Sequence, residues 1–157
     1  LKAIGYQTGC GIMVGSPWQT TEHLAEDMIF MHDLNPEMVG IGPFIPHCQT
    51  PFKDKAPGTL ERTLILLAVV RLMLPRVLLP ATTALGTIHP TGREQGILAG
   101  ANVVMPNLSP LSVRKKYMLY DNKISTGAEA ASNIVELRQR MEAVGYEVVA
   151  ARGDYAV

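Results

Sequence analysis

Short apolar runs with strand character alternate four times with helix-forming stretches, and nearly every junction carries Pro or Gly. That order predicts parallel βα units, because neighbouring parallel strands need a crossover that a helix supplies. The expected strands are Tyr6 to Val14, Met38 to Pro43, Val77 to Thr83 and Val103 to Met105. Each is apolar almost throughout, as strands covered on both faces are. Four such units are half of a closed barrel, which in full takes about 250 residues.

The helices between them have readable ends. Thr20 or Thr21 can cap a helix running to about Asn35, with Leu24, Met28, Met31 and Leu34 on one face. Gly58-Thr59 opens a heavily buried helix from Leu60 to Leu74, which Pro75 stops. Pro90-Thr91-Gly92 starts a short helix to about Leu98, ended by Gly100, and another spans roughly Leu111 to Tyr120. Thr126 and Glu129 have capping-box spacing ahead of a last helix carrying Ile134, Leu137, Met141 and Val144 on one face, with Gly145 at its end. Glu147 to Ala151 reads as a possible edge strand. The expected organisation is a half-barrel over residues 1–124 and a C-terminal extension with one helix over 125–157.

Composition narrows the partners. At 47% hydrophobic and 18% charged, the 157-residue chain is globular rather than disordered. Fourteen basic residues against fourteen acidic ones argue against nucleic acid as a partner. Leu64 to Val70, bracketed by Arg62 and Arg71, is too short to span a bilayer, so no membrane partner is expected. Two cysteines cannot build a disulfide scaffold, and no cationic apolar leader is visible, so a reducing cytoplasm is the expected setting. Leu1 opens directly into patterned sequence, as though the chain began within a domain.

In parallel α/β folds, ligands gather at the C-terminal ends of the strands. Those ends are Gly11 to Gly15, Gly40 to Phe44, Pro80 to Ala84 and Val104 to Asn107. They combine small residues with Met, Thr and Pro and hold no carboxylate, lysine or arginine. Such a lining suits a bulky, partly apolar ligand or a reactive species kept from water, and offers little to acid–base catalysis. Equally, these positions can be core layers with no ligand.

The blocks Gly11 to Gly15, Met38 to Pro51 (with Gly-Pro-Phe-Ile-Pro-His), Pro80 to Thr87 (Pro-Ala-Thr-Thr-Ala-Leu-Gly-Thr) and Gly100 to Asn107 resemble those of FeFe-hydrogenase maturases. These are biotin-synthase-like radical S-adenosylmethionine enzymes, and the resemblance runs from about Leu1 to Ile124. It implies a (βα)8 TIM-type barrel of which this chain supplies the second half, four parallel βα units plus a C-terminal helix. It implies S-adenosylmethionine and a 4Fe-4S cluster as cofactors of the full-length enzyme, together with a small substrate. By resemblance, Met13, Gly15, Gly42 and Pro43 lie against S-adenosylmethionine. Phe44, Thr82, Thr83, Met105, Asn107, Tyr117 and Tyr120 line or border the substrate cavity. Biotin synthase and methylornithine synthase share the architecture and are the alternatives, along with a non-catalytic ligand-binding or assembly module.

Two departures qualify the resemblance. The family's cluster needs a CxxxCxxC loop, whereas Cys10 and Cys48 lie far apart in the sequence, so the cluster ligands are absent here. The segment Ser125 to Val157 has no cysteine for a second cluster. The chain alone is therefore expected to be inactive, with no catalytic residue of its own. His23 and His32 fall on different faces of one helix and form no metal pair. His47, Cys48 and His89 could meet at a metal or stand as surface-loop residues; the surface reading is preferred and no metal ligand is assigned. Cys10 reads as a buried core thiol, and Glu22, Glu26 and Asp27 as a solvated helix face. An open half-barrel exposes strand edges and an apolar inner face, which predicts a homodimer.

Overall fold

The computed structural model describes residues 1–106, 111–114, 116, 119–124, 134–149, 151 and 153–155. After a 3-10 turn at Lys2–Ile4 come β1 (Gly9–Val14), α1 (Thr21–Leu34), β2 (Met38–Pro43) and α2 (Leu60–Met73). They are followed by α3 (Thr83–Ile88), α4 (Gly92–Leu98), α5 (Leu111–Arg114) and α6 (Ile134–Glu142).

The first half follows its sequence signals closely. The Thr20 hydroxyl accepts from the His23 N–H, and the His23 Nδ1 accepts from the Thr20 N–H, each at 3.3 Å. This is a capping box with histidine in the place usually held by Glu or Gln. At the other end Asn35 turns left-handed at φ 46, and Pro36 forbids another turn. α2 is capped by the Thr59 hydroxyl, which accepts from Arg62 N–H at 3.3 Å. Its buried face is Thr63, Leu66, Leu67 and Val70, while Ile65 and Leu72 are exposed. The helix expected to be heavily buried thus presents one buried stripe to the core and keeps an exposed face.

β1 and β2 pair in parallel, from Gly9 opposite Met38 to Val14 opposite Pro43. Side chains alternate across the sheet, so its two faces differ. One face carries Cys10, Ile12, Val14, Val39 and Ile41 into a core shared with Leu24, Met28 and Met31 of α1 and Leu66, Leu67 and Val70 of α2. The other face consists of Gly9, Gly11, Met13, Met38, Gly40 and Gly42, and the three β1 residues among them are exposed.

The expected fold class does not hold. The described residues contain a two-stranded open sheet, not four parallel βα units of a half TIM-type barrel. The segments expected as third and fourth strands, Val77 to Thr83 and Val103 to Met105, contribute single parallel bridges, Met38 to Leu78 and Pro80 to Val103. The chemistry of two residues explains the interruption. The Leu79 N–H donates to the Asn102 side-chain Oδ1 at 2.8 Å, and Pro80 has no N–H to donate. Each of the two neighbouring ladders thereby lacks one backbone donor.

Residues 83–88, in part assigned to the third strand, form α3 instead. α3 packs tightly on α4: a Cβ added at Gly92 would come within 2.1 Å of the Leu85 carbonyl oxygen. α6 closes a second core, in which Leu137 and Met141 meet Ala81, Ile97 and Ala101. Arg140 anchors it, pairing through Nε with Glu94 Oε1 and donating from Nη2 to the Pro90 carbonyl at 2.7 Å. The edge strand expected over Glu147 to Ala151 has no strand structure at 147–149, and Ala150 is outside the described residues. The Thr126 to Glu129 capping box, with Lys115, Tyr117 and Met118 of the expected Leu111 to Tyr120 helix, also lies outside them.

Candidate functional site

The C-terminal end of β1 is held by the side chains of Gln19 and Ser16. Gln19 Oε1 accepts from the Gly15 N–H at 2.7 Å, and Gln19 Nε2 donates to the Met13 carbonyl at 3.1 Å. Ser16 Oγ donates to the same carbonyl at 3.1 Å. Gly15 adopts φ +80, and a Cβ there would come 2.5 Å from Gly58 Cα, so both the turn and the contact require glycine. Gly15 thus has a structural task independent of any ligand. The Met13 side chain stands 61% exposed on the glycine-rich face.

Met13 pairs in register with Gly42, and a Cβ at Gly42 would lie 2.9 Å from Thr82 Oγ1. The structure therefore brings Met13, Gly42 and Thr82 into one neighbourhood. Pro43 and Phe44 are buried beside it. The Phe44 N–H donates to the Val14 carbonyl at 2.8 Å, and its own carbonyl accepts from Gly58 N–H at 2.8 Å. Phe44 also meets Phe52 edge-on at 6.3 Å, and Phe52 meets Trp18 at 6.0 Å, with Lys55 Nζ 5.0 Å from the Trp18 ring. The long loop after β2 is thereby folded back over the strand ends by an aromatic chain.

Thr82 and Thr83 are half-buried. They occupy the start of α3, Thr82 as its N-cap residue, rather than the end of a strand. The Thr82 hydroxyl is buried without a hydrogen-bond partner among the described residues, and Thr83 Oγ1 accepts from Arg93 Nη2 at 3.3 Å. Arg93 itself is 2% exposed, a buried cation that no motif in the sequence marks, since it sits in an ordinary helical stretch. Met105 is exposed, and Tyr120 has Lys123 Nζ 6.0 Å from its ring. Asn107 and Tyr117 are outside the described residues.

A separate cluster forms where the loop after β2 meets the segment following α5. A ring nitrogen of His47, the Cys48 sulfur and an Asp121 carboxylate oxygen all lie within 4.8 Å of one another. Asp121 N–H donates to the Pro46 carbonyl at 3.0 Å, which ties the two segments together. The Asp121 carboxylate accepts a hydrogen bond from the Cys48 thiol and so pushes its pKa up; desolvation adds to this. His89, the third residue weighed with His47 and Cys48, is engaged elsewhere. Its Nδ1 accepts from Thr91 N–H at 3.2 Å and faces Gln95 Nε2 at 3.3 Å. Asp121 had no local signal, since its place beside Cys48 is made by the tertiary fold. Cys10 is half-buried on the core face, and desolvation pushes its thiol pKa up.

An apolar groove of about 520 Å³ lies on the helix side between α1 and α2, lined by Leu24, Ala25, Met28, Ile65 and Leu66 among others. It lies across the sheet from the glycine face. No helix among the described residues is long and apolar enough to cross a membrane.

No protein-family model matches the chain. It is 44% identical over 92% of its length to FeFe hydrogenase maturase subunit HydE of Thermotoga maritima. It is 35% identical over 67% of its length to biotin synthase of Corynebacterium jeikeium, and 28% identical over 93% to 3-methylornithine synthase of Methanosarcina acetivorans. The chain spans 42%, 29% and 40% of the lengths of these relatives, respectively.

Proposed function

Because the chain belongs to the biotin-synthase-like radical S-adenosylmethionine superfamily and matches a hydrogenase maturase over 92% of its length, we propose that it is a maturase-like partial domain. In this reading it forms one wall of an S-adenosylmethionine pocket in FeFe-hydrogenase cofactor assembly. The observation that carries the reading is the glycine face of β1 and β2. A Cβ at Gly40 would meet nothing within 4 Å, so the sheet offers bare backbone beside the thioether of Met13. A flat, partly apolar adenosyl group fits such a surface, and Met contributes contact area without charge. Gly15, held by Gln19, and Pro43 frame its ends. Phe44, Thr82, Thr83 and Met105 are proposed to border a small substrate, with Asn107, Tyr117 and Tyr120.

The cluster chemistry does not fit this chain. A 4Fe-4S centre in this family takes three thiolates from a CxxxCxxC loop, and the chain has two cysteines, one on the core face of β1 and one in the loop after β2. What these residues can do is bind, orient and exclude water. Both cysteines are free thiols, which supports a reducing, cytoplasmic setting. The exposed β1 edge and the open Met13 face support a homodimer as the partner state.

Isothermal titration of S-adenosylmethionine into the chain tests the reading. Gly40→Val fills open space without disturbing the fold and should weaken binding by at least about tenfold, roughly 1.4 kcal/mol. Iron and sulfide reconstitution should yield no 5′-deoxyadenosine from this chain alone. Equal affinity in the parent and in Gly40→Val would remove the pocket from the glycine face.

A further inference from the structure

We propose that His47, Cys48 and Asp121 form a divalent-metal site of the zinc class, distinct from any iron–sulfur chemistry. Three different donors converge here from two parts of the chain: a ring nitrogen, a sulfur and a carboxylate oxygen, all within 4.8 Å of one another. A mixed nitrogen, sulfur and oxygen set is what a borderline-soft ion such as Zn²⁺ takes, and hard Mg²⁺ or Ca²⁺ does not. Three protein ligands leave a fourth tetrahedral position for water.

The convergence is built rather than incidental. Asp121 N–H is bonded to the Pro46 carbonyl, one residue before His47, so the carboxylate is held beside the His-Cys pair by backbone. Asn122 follows in the left-handed region at φ 56, turning the chain immediately after Asp121. Around a tetrahedral ion with bonds of about 2.0–2.3 Å, ligand atoms sit roughly 3.5 Å apart. Closing that difference takes rotations of the exposed Cys48 and of the half-buried His47 and Asp121.

Ligation has one local consequence. The Gln49 N–H now donates to His47 Nδ1 at 3.0 Å. Binding at Nδ1 displaces that amide directly. Binding at Nε2 moves the ring proton to Nδ1, with the same result. The metal would clip the loop after β2 to residues 119–124, and the Gln49 amide reports the event.

The probe is Co²⁺ added to the full chain, followed by Zn²⁺. One equivalent of Co²⁺ should produce a thiolate-to-cobalt charge-transfer band that Zn²⁺ abolishes, and the Gln49 amide resonance should move. The band should persist in Cys10→Ser and His89→Gln and vanish in Cys48→Ser. His47→Gln and Asp121→Asn should weaken Zn²⁺ binding by at least about tenfold, the scale on which even an outer partner of a ligand matters. No band in the parent, a band surviving in Cys48→Ser, or a band lost in Cys10→Ser overturns the site. A Gln49 amide unmoved by Zn²⁺ overturns it independently of any variant.

Discussion

Glu37 shows how much one half-buried carboxylate can be shaped by its neighbours. Its Oε2 accepts from the Thr8 N–H at 2.6 Å and the Thr8 hydroxyl at 2.9 Å, and Oε1 lies 3.2 Å from Lys2 Nζ. The Thr8 amide is the largest cause, and together these donors lower its pKa from 4.5 to about 2. Folding therefore favours the carboxylate form. Its contribution is complete above pH 4.5 and is lost as pH falls toward about 2. Glu37→Gln should be less stable than the parent at neutral pH, with the gap closing across that window in acid titrations followed by circular dichroism. A gap that stayed constant from pH 5 to pH 2 would contradict this account. At the same scale, Gly58 closes the long loop: a Cβ there would fall 2.0 Å from the Val14 carbonyl oxygen, at the end of β1.

At the scale of elements, the attachment of α6 depends on an ion pair. Glu94 is only 8% exposed, and Arg140 supplies its partner from α6 while also bonding the Pro90 carbonyl. Arg140→Met should cost about 2 kcal/mol, because it leaves a buried carboxylate short of a donor. Urea unfolding measures it, and a loss below about 0.5 kcal/mol would put the pair among ordinary surface contacts. Elements bounded by strong local chemistry were legible beforehand. α1, β2, α2 and α4 lie within a residue or so of the positions that Thr20, Asn35, Pro43, Thr59, Pro75, Thr91 and Gly100 mark. α3 was not, since Thr-Ala-Leu-Gly-Thr-Ile has two β-branched threonines, an isoleucine and a glycine, a poor helix by propensity. It is helical because Leu85 and Gly86 are buried against α4, and tertiary packing overrides propensity.

For the whole molecule, the open face and edge of the sheet raise the question of what covers them. Met13 is 61% exposed, and β1 pairs with β2 alone among the described residues. An uncovered edge and an apolar face favour association. Sedimentation equilibrium at micromolar concentration should find a species near twice 17.1 kDa. A stable species at the single-chain mass would mean that the face survives uncovered. Met13→Lys should shift any dimer toward monomer without unfolding it, since the side chain already faces solvent.

The sequence by itself determined the family, the parallel pairing of β1 with β2, and the helices whose caps and prolines are local. These depend on residue type and spacing within a few positions, which is the range over which backbone sterics and hydrogen bonding act. That the third and fourth apolar runs make single bridges was decided partly by Pro80, which has no N–H, and partly by the tertiary structure. The Asn102 side chain takes the Leu79 amide from 23 residues away, and no window of sequence contains that contact. It also decided which residues share a site. His47 and Cys48 are adjacent in the chain, but their third partner is Asp121 rather than His89, because the bond from Asp121 N–H to the Pro46 carbonyl exists only once the loop after β2 has folded back.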